Sequence, residues 1–443
     1  MLTFLAFLMV ATFMALIMTK RLSPLTALIL VPIVFGALAG FAPKLGPMML
    51  DGIKTLAPTG VMLMFAILYF AIMLDAGLFD PFVELIVRLV KGDPARIVFG
   101  TAVLALLVSL DGDGSTTYMI TTAAMLPLYL KLGIRPLVLA CVTMLAGGVM
   151  NLLPWGGPTA RVATALAVDM SVLFPPLVPA MVAGALWVLF AAWQLGRGER
   201  ARLLAQGGPA PAMPFRQAEH GIVGADDGAA LKRPKLRVVN AVLTLALLVA
   251  LIKAVLPLAV LFMIGFAVAI MVNYPSLADQ RARINAHAGN ALAVAGVVFA
   301  AGIFTGILSG TKMIDAMAES VVYLVPASLG PFMAPVTAVL SVPFTFFISN
   351  DAFYYGVVPI LAKAAAAYGI SPVEIGRASL MGQPVHLLSP LVPSTYLLVG
   401  LCGVEFDEHQ RFTIKWAALS VLVLLVVALA TTVVPLMGHA VAR

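Results

Sequence analysis

Charge is scarce in this sequence. Only 11% of its 443 residues are Asp, Glu, Lys or Arg, against roughly 25% in a soluble domain. A chain so poor in charge cannot clothe a water-facing surface, which excludes an ordinary soluble fold. Cysteine is nearly absent too. Cys141 and Cys402 both sit in apolar surroundings and read as small core residues, not as a disulfide. No HExxH run, phosphate loop or nucleophile–base pair is legible, so nothing points to an enzyme. The formal net charge of +7 comes from basic residues scattered at the ends of apolar runs, where lipid headgroups would meet them. It is not a nucleic-acid signal. The first run, Met1 to Thr19, has no basic flank or small-residue cleavage site, and it reads as a helix and not as a removed leader.

Hydrophobic residues make up 62% of the chain. That suffices for about ten helical crossings at roughly 20 residues each, and the fold class expected is an all-α polytopic membrane protein. Spanning helices are predicted near 1–19, 22–42, 56–78, 136–170, 174–195, 238–252, 254–273, 290–308, 371–403 and 412–437. Two further apolar stretches, 97–130 and 332–368, are cut in the middle by polar residues: Asp111 to Thr117 in one, Ser349-Asn350-Asp351 in the other. Polar, non-helical backbone at membrane depth is tolerated only inside protein or beside water. Both stretches are therefore expected to be re-entrant hairpins with polar tips. The extended soluble segment, 196–237, carries eight basic residues against four acidic ones and reads as a cytoplasmic linker. The basic residues near 20, 88–96, 131–135 and 281–283 would lie on the same side. That places both termini outside the cytoplasm.

The two halves, 1–195 and 238–443, share a sequence of features. Gly133-Ile134-Arg135-Pro136 resembles Gly369-Ile370-Ser371-Pro372. In that register Leu152-Leu153-Pro154 meets Leu388-Ser389-Pro390, Thr159 meets Thr395, and Asp113-Gly114-Ser115 meets Ser349-Asn350-Asp351. With the topology above, this is an inverted repeat. Such repeats with broken helices are a signature of secondary transporters that hold substrate near the midplane.

Asn151 to Thr159 cannot be continuous helix, because Pro154 and Pro158 remove amide donors and Gly156-Gly157 weakens the rest. The same holds for Ser389 to Thr395. Each break frees carbonyls for a cation and exposes a helix N-terminus for an anion. Candidate substrate-binding residues are Ser115, Thr116, Asn151, Thr159, Ser349, Asn350, Ser394 and Thr395. Asp113, Asp351 and His386 are the candidates for holding a metal or a proton. An Asp at a hairpin tip can instead be a helix cap, and a lone His in an apolar helix can be a satisfied core residue. Arg161 can face an anion or snorkel. Trp155 and Tyr354 can pack the site, but core or interface placement is the more ordinary reading of both.

At these residues the chain resembles the citrate–metal:proton symporter family of bacteria (CitMHS). The resemblance rests on Asp111-Gly-Asp-Gly-Ser-Thr-Thr117, Phe347-Ile-Ser-Asn-Asp-Ala-Phe-Tyr-Tyr355 and Gln383-Pro-Val-His-Leu-Leu-Ser-Pro-Leu-Val-Pro-Ser-Thr-Tyr396. It extends over essentially the whole chain outside 196–237. It implies uptake of citrate complexed with Mg²⁺ or Ca²⁺, coupled to protons, across the cytoplasmic (inner) membrane, with no prosthetic group. It also implies an elevator-type ion-transporter fold in a homodimer. Sodium-coupled relatives in the wider superfamily carry Ser-Asn-Thr at each tip. This chain departs from that triplet by placing a carboxylate at both tips, which fits a cargo that brings its own cation. Two alternatives stay open: another carboxylate or anion as cargo, and cation/proton antiport.

Overall fold

A computed structural model describes residues 2–89, 93–112, 114–206, 230–253, 255–324, 326 and 328–438. Among them the chain is all helix and turn, with no strand. Helices α1 (Leu2–Met18) and α2 (Pro24–Leu38) lead into the long α3 (Leu45–Asp75) and the short α4 (Asp80–Leu89). Then α5 (Pro94–Val108) and α6 (Gly114–Leu132) form a first helical hairpin. One apolar run is split into α7 (Pro136–Met150) and α8 (Gly157–Leu166), and α9 (Val178–Ala205) follows. After residue 230 come α10 (Arg237–Ile252), α11 (Leu258–Asn273), the long α12 (Leu277–Gly310) and the short α13 (Met313–Leu324). A second hairpin is made by α14 (Met333–Phe347) and α15 (Val358–Ala366), with a π-helical turn at Ala352–Val357 between them. The next run is split into α16 (Pro372–Ser379), α17 (Gln383–His386) and α18 (Pro393–Cys402), before α19 (Phe406–Ala430). Among the described residues seven helical stretches are long and apolar enough to cross a bilayer.

The helix starts are written locally. Proline stands at the first turn of α2, α5, α7, α16 and α18, where its missing amide is harmless. Ser23, Asp93 and Ser276 each accept an amide of the following turn. Ser371 and Glu374 form a reciprocal capping box on α16. Two helices outrun the apolar segments that announce them. Helix α3 begins at Leu45 where hydropathy suggests 56, and α12 begins at Leu277 where it suggests 290. Polar or helix-weakening residues open both, Gly46, Pro47, Asp51 and Lys54 in α3 and Asp279, Arg281 and Arg283 in α12, so hydropathy does not register these starts. Helices α4 and α13 are unexpected: they are short and carry charge on one side (Asp80, Glu84 and Arg88; Asp315 and Glu319).

Helix α9 runs to Ala205, into the segment that composition marks as linker. The reason is Glu199. Its side chain is fully buried, with Arg135 at 2.6 Å and Arg202 at 2.7 Å. Arg202 also donates to the Gly133 carbonyl at 2.6 Å. A buried carboxylate paired on two sides ties the end of α9 to the turn that opens α7. Residues 207–229 of that segment lie outside the described residues.

The long helices α3 and α12 touch backbone to backbone. A Cβ at Gly52 would overlap the Gly302 carbonyl, and Gly306 approaches the same turn of α3. Only glycine allows this spacing, the small-residue device by which membrane helices gain close packing. It gives an internal control. Gly46, in the same helix, has nothing near its missing Cβ. Gly46→Ala is expected to be neutral or to gain up to about 1 kcal/mol. Gly52→Ala should lose about 1–3 kcal/mol to overpacking. Thermal unfolding in detergent checks the opposite signs.

Candidate functional site

The two places where the apolar runs break face each other. A Cβ at Gly148 in α7 would lie 2.8 Å from the Pro384 Cα in α17, and Gly147 lies beside Leu387. Between α7 and α8 the chain turns through residues 151–156; between α17 and α18 it turns through 387–392. Each turn frees carbonyls, and each is closed by its own threonine. Thr159 Oγ1 donates to the Asn151 carbonyl at 3.1 Å, and Thr395 Oγ1 donates to the Leu387 carbonyl at 2.5 Å.

Each hairpin is fastened to the break of its own half. Trp155 Nε1 donates to the Leu110 carbonyl at 2.8 Å, and Ser389 Oγ donates to the Phe346 carbonyl at 2.6 Å. His386 adds a second bond to that hairpin, Nδ1 to the Thr345 carbonyl at 2.6 Å. A carbonyl only accepts, so Nδ1 carries the hydrogen. Trp155 also packs against Phe70 of α3 and Phe262 of α11, with ring centroids 5.3 and 5.2 Å away.

Each tip then reaches across to the other half. Gly114, at the start of α6, lies beside Ser394, with its absent Cβ 3.6 Å from the hydroxyl oxygen. At the second tip Asp351 Oδ1 meets Arg161 Nε of α8 at 2.7 Å. The pair is largely withdrawn from solvent, the two side chains being 13% and 29% exposed. Gln383 joins three pieces. Its Oε1 accepts from Asn151 at 3.3 Å, and its Nε2 donates to the Asn350 side chain at 3.3 Å and to the Tyr354 hydroxyl at 2.7 Å. Tyr354 in turn donates to the Ser379 carbonyl at 3.3 Å. The π-helical turn places Tyr354 and Tyr355 together in the interior; single wide turns of this kind often mark functional sites.

The sequence candidates thus fall into three groups. Asn151, Asn350 and Asp351 gather with Arg161 and Gln383 around the crossing point. Thr159, Thr395 and His386 are committed to backbone carbonyls, and Ser349 Oγ accepts the Ala352 amide at 3.2 Å, a cap. Ser115, Thr116 and Ser394 lie half-buried where the first tip meets the start of α18. Asp113 lies outside the described residues. Among those described, no three of His, Cys, Asp and Glu come together as a metal cage. Gln383 is the contact residue that sequence reasoning passed over. It stands in the conspicuous run 383–396, but a neutral amide carries no signal until its partners are known. Arg161 had a signal: an arginine directly after a helix break in an apolar run.

The fold compares with that of a known transporter. A crystal structure of the Alcanivorax borkumensis YdaH transporter superposes with a TM-score of 0.58 at 13% identity, over 95% of this chain and 97% of that one. At that identity the likeness concerns the fold alone. Seven helical stretches of spanning length among the described residues define a multi-pass membrane protein. The family profile described as "Citrate transporter" matches residues 13–382, and the chain belongs to that citrate transporter family. A "Citrate transporter" of Bacillus subtilis (strain 168) is 60% identical, over 97% of this chain and 98% of its own length. The "Mg(2+)/citrate complex secondary transporter" of the same organism is 54% identical, again over 97% and 98%.

The two threonine closures can be tested as a matched pair. Thr159→Val and Thr395→Val keep the shape of the side chain and remove the hydroxyl. Each should cost about 1–3 kcal/mol, because a buried carbonyl is left without its donor. The two losses should add, since the bonds share no partner. Thermal unfolding of the single and double variants measures both.

Proposed function

We propose that this protein carries citrate, as its complex with a divalent cation, across the cytoplasmic membrane by secondary transport coupled to protons. The observation that carries the reading is the Arg161–Asp351 pair. It holds one positive and one negative group in a poorly solvated place where two halves of the chain meet. Removing either partner alone leaves an uncompensated charge, an effect worth about 3–5 kcal/mol in a fully buried pair. A bare citrate trianion could take Arg161, but it would then face Asp351 with like charge. Citrate with Mg²⁺ or Ca²⁺ brings both signs. A carboxylate replaces Asp351 at Arg161, and the hard cation accepts an oxygen of Asp351. The metal is cargo here, and citrate supplies most of its ligands. A proton on Asp351 would release it equally well, which offers a route for proton coupling.

The remaining parts have supporting roles in this proposal. Asn151, Asn350 and Gln383 present amide groups to the other carboxylates. Ser115, Thr116 and Ser394 hold the opposite side, near the N-terminal end of α18, and Asp113 shares the metal or proton work. His386 fastens the second hairpin through Thr345. Helices α7 and α8, α16 to α18 and both hairpins move together as re-entrant elements of an inverted repeat, against a scaffold that includes the paired α3 and α12, in a homodimer. The relative named a Mg(2+)/citrate complex secondary transporter supports the choice of cargo.

The test is uptake of labelled citrate into proteoliposomes of the purified protein with an inward proton gradient. Uptake is expected to need both Mg²⁺ or Ca²⁺ and the gradient. Equal uptake with a chelator present would make free carboxylate the cargo. Cation flux without citrate would make the protein an antiporter. Asp351→Asn should lower metal–citrate uptake at least tenfold, about 1.4 kcal/mol or more. Arg161→Lys should also lower it, because an ammonium cannot offer the planar fork that matches a carboxylate.

A further inference from the structure

A groove of about 700 Å³ opens between α4, α5 and α9, away from the crossing point. Its volume is that of a small-molecule site. One end is cationic. Arg96 and Arg200 stand at 3.8 and 3.7 Å from Asp93, both well exposed, and Arg197 stacks over the Trp193 ring at 4.7 Å. Two of these arginines therefore share one carboxylate, at distances too long for good hydrogen bonds, and the third rests on the Trp193 ring. The rest is apolar: Phe99 and Val103 line its depth. Trp193 and Phe99 remain exposed to whatever fills it. The two walls meet backbone to backbone at Gly196, where a Cβ would lie 2.8 Å from the Ala95 Cα.

We propose that this groove binds an anionic phospholipid, with its phosphate among Arg96, Arg197 and Arg200 and an acyl chain along Phe99 and Val103. Charge decides the class. A free phosphate satisfies the arginines but leaves the apolar floor empty. A zwitterionic lipid fills the floor but brings an ammonium toward three guanidinium groups. An anionic lipid answers both ends. The place fits as well: the start of α5 and the end of α9 carry clustered arginines, and juxtamembrane basic clusters attract anionic lipid. A tryptophan beside them suits the headgroup level.

The test is lipid binding to the delipidated full-length protein in detergent, by native mass spectrometry and thermal shift. The probes are phosphatidylglycerol, phosphatidylcholine and sodium phosphate. Phosphatidylglycerol should bind and raise the melting temperature, and the other two should not. Each Arg→Gln change at 96, 197 or 200 should weaken phosphatidylglycerol binding roughly fivefold, with the far-ultraviolet circular dichroism unchanged. Val103→Trp, which plugs the apolar end and leaves the arginines, should weaken it too. Equal binding of phosphatidylcholine would overturn the proposal. So would stabilisation by sodium phosphate alone, or phosphatidylglycerol binding unchanged in the triple arginine variant. If the arginine changes alter the oligomeric state and not lipid binding, the groove is a contact between copies and the proposal fails.

Discussion

Hydrocarbon offers no hydrogen bonds, so every place where this chain leaves helical geometry inside an apolar run must be satisfied from within. That constraint organises the interior. The turns at 151–156 and 387–392 would strand carbonyls, and Thr159 and Thr395 close them. Trp155 and Ser389 then donate to the last carbonyls of the neighbouring hairpin arms, at Leu110 and Phe346. Once the hairpins are fastened there, their polar tips have to lie beside the breaks. The juxtaposition of Asp351 with Arg161, and of Asn350 with Gln383, follows from this.

A second device isolates this polar region from the rest. Helices α3 and α12 approach to backbone contact at Gly52, Gly302 and Gly306. Phe70 on α3 and Phe262 on α11 pack against Trp155, the residue that ties the first break to its hairpin. Tight packing of apolar helices thus backs the place where the backbone is least regular. The polar groups gather where the two broken runs touch at Gly148 and Pro384. The hydrogen bonds of Gln383 with Asn151, and the Arg161–Asp351 pair, both bridge segments from the two sides of that seam.

Much of the fold was legible because lipid imposes simple rules. Long apolar runs have few outcomes, so the positions of most helices could be read from hydropathy. The prolines and glycines between 151 and 158 announce an interruption because they remove donors and weaken helix. The register that sets Thr159 on Thr395 is also a sequence observation, and both threonines bridge their turns in the same way. Charged extensions were poorly legible. The first turn of α12 and the end of α9 look like loop because their stability comes from a cap, ion pairs and a buried Glu199.

By itself, then, the sequence determined that this is a membrane-embedded helical chain, where its helices break, and which short polar runs are out of place in lipid. These are local properties: hydropathy, missing amide donors and the scarcity of charge. Only the tertiary structure decided how the polar residues are shared out. It committed His386 and both threonines to the backbone, recruited the neutral Gln383 to join three segments, and set Arg161 on Asp351 across the length of the chain. Partners so far apart in sequence carry no mark of each other. Their meeting depends on how the hairpins dock against the broken helices, which packing and hydrogen-bond satisfaction settle together.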